Sequence, residues 1–241
     1  MLLTNPGFSN GQGMDIHIRT RIETWWSYVE TAAVRLGEDT LVDFSGCSGD
    51  NEEWLWVNGK SYDALERGHW YEIEVSGFLI RYKKVAHGRC KASIHFGGEK
   101  EHIALESFKK MVKVDIKVEN PMNFTGSLGL LGHYPDGKRV GRDGTSFIDD
   151  VRDFGQEWQV TEEEPKLFRA YGEGVVQAPD KCAMPATEKE TSNLRKRRLG
   201  EASLSKAEIE KACSHVKDPA ERAACQLDVM VTDDVGMAGA F

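Results

Sequence analysis

The chain has 241 residues and a formal net charge of -8, with acidic and basic residues interspersed. It therefore lacks the basic surface that nucleic-acid binding requires, and we expect no nucleic-acid partner. Apolar residues make up 40% of the chain, but their uninterrupted runs fall far short of the roughly 20 residues needed to cross a bilayer. The sequence predicts no transmembrane segment in this chain.

Alternation of apolar and polar residues predicts β-strands up to about residue 118. The clearest segment, residues 112–118, places β-branched side chains on one face and charged side chains on the other. Asn58-Gly59 favours a tight hairpin turn after a strand at 54–57. The other predicted strands are short segments separated by turn residues, at 14–19, 28–36, 71–75, 78–84, 90–96 and 101–108. This pattern predicts a mainly-β fold, an antiparallel β-sandwich or meander.

The C-terminal part changes to a helical pattern after a segment without apolar periodicity. We predict a β domain at 1–168, a linker at 169–202 and a small α-helical hairpin at 203–241. The first helix follows from apolar residues at helical spacing between Ile209 and Val216. The second follows from Asp218-Pro219-Ala220-Glu221, which supplies an N-cap and a proline at the first helical position. Its expected apolar stripe consists of Ala220, Ala223, Ala224, Leu227 and Val231.

Residues 123–160 resemble the second half of a von Willebrand factor type D domain. The similar segments are Gly129-Leu130-Leu131-Gly132, Asp136-Gly137 and Phe154-Gly155-Gln156-Glu157-Trp158-Gln159-Val160. That family has a Gly-Leu-Cys-Gly segment, an Asp-Gly loop and a Phe-Gly-x-x-Trp-x-Val strand in this order. The resemblance covers residues 1–168, and the C-terminal piece is similar to the helical module that follows type D domains. It implies an extracellular domain that acts in adhesion or matrix assembly.

Leu131 departs from the family, because it stands where a cysteine is expected. The family's disulfide cannot form there, and we expect Leu131 to pack into the sheet instead.

In better-known members the loop after this segment binds calcium through carboxylate and amide oxygens. Calcium is therefore the one metal hypothesis here, since it prefers several converging oxygen ligands. The alternative is that the aspartates are ordinary turn residues, and three cations of the same loop, Lys138, Arg139 and Arg142, oppose a dication. Otherwise we expect no cofactor. The candidate ligands are Asp136, Asp143, Asp149 and Asp150.

Cys213 and Cys225 are predicted to form a disulfide across the helical hairpin, which is too small to hold a large core. The other three of the five cysteines, Cys47, Cys90 and Cys182, show neither metal-site spacing nor a Cys-x-x-Cys redox motif.

Two sequence motifs predict processing in the secretory pathway. Asn123-Phe124-Thr125 is an acceptor sequence for N-glycosylation. The basic cluster that ends at Arg198 resembles a proprotein-convertase cleavage site in an exposed linker. The alternatives are a nuclear-localisation patch and, by default, a solvated run of charge.

The sequence contains no recognisable catalytic motif, whether a nucleophile elbow, a phosphate-binding loop or a zinc-binding helix. We expect His17 and His95 at outward positions of their strands. The predicted function is a non-catalytic module of an extracellular or cell-surface protein, with protein or glycan partners and self-association. Two alternatives stay open, an intracellular β-scaffold and a carbohydrate-active enzyme, of which the enzyme needs paired carboxylates about 5–10 Å apart.

The first residues lack the charged region and apolar core of a signal peptide. Because type D domains normally begin with one or more strands before the one predicted at Met14, we expect Met1 not to be the true start.

Overall fold

A computed structural model describes residues 1–23, 26–47, 53–86, 88–96, 98, 100–161, 164, 167, 168 and 204–241. These residues belong to two compact units. The first contains two antiparallel sheets and the second contains the C-terminal helices, so the predicted mainly-β class with a small helical part is confirmed. In the described part of the chain, no helix is long and apolar enough to cross a membrane.

Six strands form the first sheet, and each pairs with its neighbour in the chain. They are β1 (Leu3–Asn5), β2 (Met14–Glu23), β3 (Trp26–Leu36), β4 (Thr40–Phe44), β5 (Leu55–Val57) and β6 (Lys60–Tyr62). A helical turn, Phe8–Gly11, connects β1 to β2. Asn58 and Gly59 both have positive φ, as the predicted turn between β5 and β6 requires.

Five strands form the second sheet, again in chain order. They are β7 (Tyr71–Val75), β8 (Phe78–Ala86), β9 (Arg89–His95), β10 (His102–Phe108) and β11 (Met111–Lys117). The predicted strands therefore all exist, with ends shifted by a few residues. The sequence missed β1 and β6, which have three residues each, and β4, whose consecutive residues Val42, Asp43 and Phe44 are all buried and therefore do not alternate.

One apolar core lies between the two sheets. It contains alternate residues of both, for example Val34 and Phe44 from the first sheet and Ile80 and Ile94 from the second. The ring of Trp54 connects the layers, with its centroid 5.7 Å from that of Phe44 and 6.1 Å from that of Tyr82. Burying one face of each sheet in this way is what the alternating sequence favours.

A disulfide also joins the two sheets. Cys47, which follows β4, is bonded to Cys90 on β9, with a Cα–Cα distance of 6.0 Å. The hydroxyl of Ser107 accepts hydrogen bonds from the backbone N–H of Cys47 at 3.4 Å and of Cys90 at 3.1 Å. Since all three residues are buried, the bond belongs to the core.

The first unit also contains helix α1 (Val151–Glu157), and the C-terminal unit contains helix α2 (Lys206–Ala212), helix α3 (Pro219–Thr232) and a 3-10 helix, Val235–Ala240. Asp218 caps α3 as predicted, accepting hydrogen bonds from the backbone N–H groups of Ala220 and Glu221 at 2.9 Å. Cys213 and Cys225 are joined in a disulfide with a Cα–Cα distance of 5.9 Å.

The predicted apolar stripe of α3 is wrong. Cys225 and Val229 are its buried residues, whereas Ala220, Ala223, Ala224 and Leu227 are exposed. The bond to Cys213 fixes which face of the helix turns inward, because Cys225 lies away from the alanine-rich side.

His17 is likewise buried and not outward, with 3% of its surface exposed. Burial lowers its pKa to about 4 from an ordinary value of 6.5, and the positive charge of the N-terminal amino group lowers the pKa further. The folded protein therefore holds this imidazole in its neutral form at neutral pH.

We predict that replacing Cys47 and Cys90 by alanine lowers the free energy of unfolding by about 4 kcal/mol, because the bond closes a loop of 43 residues. The matched variant, Cys213→Ala with Cys225→Ala, loses about 3 kcal/mol in its own unit, where the separation is 12 residues. Urea denaturation followed by tryptophan fluorescence reports mainly on the first unit, which contains Trp54, Trp56, Trp70 and Trp158. Equal midpoints for the wild type and the Cys47/Cys90 variant would contradict the structural role of this bond.

A second prediction concerns pH. As pH falls from 6.5 towards 4, the unfolded chain binds a proton at His17 and the folded chain does not, so stability decreases by on the order of 3 kcal/mol across this window. His17→Phe removes this component of the pH dependence, whereas His215→Phe, at an exposed histidine, keeps it. Urea midpoints measured between pH 7.5 and pH 4 test the difference, and an unchanged slope in His17→Phe rules the explanation out.

Candidate functional site

The segment that resembles a type D domain packs beside β1. Leu128 pairs with Thr4 through two backbone hydrogen bonds of 2.7 and 2.9 Å. Gly129 lies so close to this strand that a Cβ there would be 2.8 Å from the Cα of Leu3. At Gly132 a Cβ would be 2.7 Å from the carbonyl oxygen of Gly137. Close backbone contacts therefore explain both glycines of Gly129-Leu130-Leu131-Gly132.

Two expectations for this segment are wrong. Leu131 is 56% exposed and does not pack into the sheet, because the turn at Gly132 directs the chain back towards residue 138. Phe154 belongs to a helix, α1 (Val151–Glu157), and not to a strand. Asp150 caps the start of this helix and Trp158 is its C-cap. The buried indole of Trp158 donates its N–H to the carbonyl of Val140 at 3.1 Å.

The four candidate calcium ligands each have local partners. Asp136 accepts from the ammonium group of Lys138 at 2.9 Å and from the backbone N–H of the same residue at 3.2 Å. These hydrogen bonds, together with one from His133, hold the pKa of the Asp136 carboxyl well below its ordinary value. Asp149 lies 3.4 Å from the guanidinium of Arg139. The loop cations thus neutralise carboxylates that a calcium ion would need.

The other two aspartates stabilise backbone turns. Asp143 accepts from the backbone N–H groups of Thr145 and Ser146, each at 2.8 Å. Asp150 accepts from those of Arg152 at 2.8 Å and Asp153 at 3.0 Å, which lowers the pKa of its carboxyl. Within the described ranges, no three His, Cys, Asp or Glu side chains are grouped so that they could hold a metal ion.

Asn123 lies in a 3-10 helix, Pro121–Phe124, with its side chain half-buried. Its amide donates to the buried carboxylate of Glu101 at 3.4 Å. Arg198, Cys182 and the predicted linker at 169–202 lie outside the described residues.

A different feature, the outer face of the second sheet, was not recognised in the sequence. Cross-strand pairing aligns one residue from each of four strands in a row: Glu72, Arg81, Ser93 and Ala104. Ser93 and Ala104 are short, whereas the residues beside them on this face are long. A cavity of about 410 Å³ therefore opens above them, within the range of about 300–1,000 Å³ of small-molecule sites.

Ion pairs hold the polar walls of this cavity. On one side the guanidinium of Arg81 donates to Glu72 at 2.8 Å. On the other side Lys91 and Arg89 both lie 2.8 Å from the carboxylate of Glu106. The pairs at Glu106 are partly buried and keep their side chains in fixed positions, whereas the pair between Arg81 and Glu72 is exposed and restrains its side chains less.

Aromatic rings complete the lining. Trp70, just before β7, is 41% exposed, and the ammonium group of Lys83 lies 4.3 Å from its ring centroid. His95 and His102 are opposite each other on β9 and β10, with ring centroids 4.9 Å apart. The hydroxyl of Ser93 is 2.9 Å from Nε2 of His95. The cavity thus combines a ring surface with donors and acceptors, the composition of a binding site for a small polar molecule.

Part of this arrangement could have been found from the sequence. The two-residue turn at Ser76-Gly77 pairs Val75 with Phe78, and this register sets Glu72 opposite Arg81. The pairing of β8 with β9 could not be found, because their register shifts between Lys84 and Ala86.

Comparison with known proteins gives no relative: no family model matches the sequence, no curated protein matches it, and no solved structure matches the fold.

We predict that Asp150→Ala lowers the melting temperature by about 2–4 °C, because helix α1 loses its N-cap. Asp149→Ala is the matched control: its side chain is 92% exposed and makes only a long contact with Arg139, so we expect a shift below about 1 °C. Because the carboxylates already have partners, adding calcium chloride should leave both differences unchanged. A calcium-dependent rise in the melting temperature that either variant abolishes would instead place the ion at these aspartates.

Proposed function

We propose that this chain is a non-catalytic interaction module of an extracellular or cell-surface protein, with a role in adhesion or matrix assembly. The observation that carries the proposal is the pair of disulfides, one in each compact unit: Cys47–Cys90 and Cys213–Cys225. Disulfides persist in oxidising compartments and are rare in the cytosol. The resemblance of residues 123–160 to type D domains supports the adhesive role.

The intracellular alternative fits the disulfides poorly. The Cα–Cα distances of the two cysteine pairs are 6.0 and 5.9 Å. Both lie within the usual range for a disulfide bond, about 4.4–6.8 Å. A cytosolic protein would keep these buried sulfurs as thiols, and the two units would then lose the covalent links that restrain them.

The enzyme alternative is disfavoured by the placement of the cavity's carboxylates. Glu72 is on β7 and Glu106 is on β10, so two strands separate them. A glycoside hydrolase needs one carboxyl group as the acid and the other as the base or nucleophile, whereas each of these carboxylates is already bonded to a cation.

The test is peptide mapping of native protein whose thiols are blocked before digestion without reduction. We expect linked peptides that contain Cys47 with Cys90 and Cys213 with Cys225. A matched sample, reduced before blocking, should show all four as modified thiols. The same digest reports a glycan on Asn123 and, as a peptide beginning at Leu199, cleavage after Arg198.

Modified thiols at all four cysteines in the unreduced sample would contradict the proposal. The intracellular β-scaffold would then be the better account of the chain.

A further inference from the structure

We propose that the cavity on the outer face of the second sheet binds a neutral pyranose unit of a glycan. The inference rests on the proposed function, because it names the ligand class through which such a module would act. The cavity's floor consists of Ser93 and Ala104, and its rim includes Trp70.

Charge balance favours a neutral ligand. The lining contains two cations, Arg81 and Lys91, which are paired with two carboxylates, Glu72 and Glu106; Arg89, which also contacts Glu106, lies outside the lining. An anionic ligand would have to compete with these carboxylates for the cations, and a cationic ligand would have to compete with the basic groups for the carboxylates. A molecule that both donates and accepts hydrogen bonds without a net charge disturbs neither pair.

The paired groups still have hydrogen-bonding capacity. A carboxylate accepts at two oxygens and a guanidinium donates through five N–H groups, whereas the pair between Arg81 and Glu72 joins one nitrogen to one oxygen at 2.8 Å. Sugar hydroxyls supply both a donor and an acceptor. The same hydroxyl can therefore accept from Arg81 and donate to Glu72, which is recognition suited to a polyhydroxylated ring.

Trp70 provides the apolar part of the site. The C–H face of a pyranose is apolar, and an indole ring with 41% of the residue exposed offers a flat surface for it. Lys83 contacts this ring at 4.3 Å and restrains it in the absence of ligand. Restraint before binding lowers the entropy lost on association.

The size of the cavity agrees with one or two sugar rings. Its volume of about 410 Å³ lies near the lower end of the range for small-molecule sites. The floor lies below the surrounding side chains because Ser93 and Ala104 are short, so a longer side chain at position 104 would occupy the space.

The experiment uses the full chain with its disulfides intact. Saturation-transfer difference NMR is recorded with the methyl glycosides of glucose, galactose, mannose and N-acetylglucosamine, and with sodium sulfate as a competitor. We expect at least one glycoside to bind with a Kd on the order of 1 mM, as befits a single small ring. Because the cavity's cations are already paired, sulfate should not displace it.

Two variants locate the binding. Trp70→Ala should raise the Kd about tenfold by removing the stacking surface, and Ala104→Leu should abolish binding by filling the cavity. Their matched controls change the same residue types outside the cavity: Phe147→Ala removes an exposed aromatic ring and Ala86→Leu enlarges an exposed alanine on β8. Both controls should bind as the wild type does, and urea midpoints verify that all four variants are folded.

Three results would overturn the inference: no glycoside binds at 50 mM, binding persists in both cavity variants, or sulfate competes. A loss of self-association in Trp70→Ala, seen by sedimentation velocity without any glycoside binding, would assign the face to a second copy of the chain. None of these results affects the disulfide map, so failure here is distinguishable from failure of the proposed function.

Discussion

The structure of the first unit depends on one constraint, the burial of a single apolar face from each of two meandering sheets. Successive side chains of a strand point to opposite faces of the sheet, so fixing which face is inward also fixes which face meets water. The disulfide between Cys47 and Cys90 adds a covalent link across the same layer. The core therefore also determines the polar outer face, because Arg81 and Ser93 point outward for the reason that Ile80 and Ile94 point inward.

Local patterns predicted local structure well. The strand at 71–75 and the N-cap at Asp218 depend on residues close together in the chain, and both are found in the structure. The strands β1 and β6, of three residues each, are too short for alternation to be informative. The inward face of α3 depends on Cys213, which directly follows helix α2, so the helical pattern of α3 alone selected the wrong side.

The candidate site, apart from the pairing of Glu72 with Arg81, was beyond sequence reasoning for a related physical reason. Its lining comes from several strands, and a bulge in β8 shifts the register by one residue. Because a one-residue shift exchanges the two faces of a strand, alternation identifies outward residues but not their neighbours across the sheet. Likewise, nothing in the spacing of Cys47 and Cys90, 43 residues apart, indicates that the two sulfurs meet.

The order of the strands has a consequence for how the chain folds. In both sheets every strand pairs with its neighbour in sequence, so each hairpin closes a short loop and most pairing has a low contact order. Hairpins of this kind form within about 1–10 μs. Docking of one meander on the other should therefore follow hairpin formation, and oxidation of Cys47 and Cys90, which takes seconds to hours, should come last, once docking has brought the two sulfurs together.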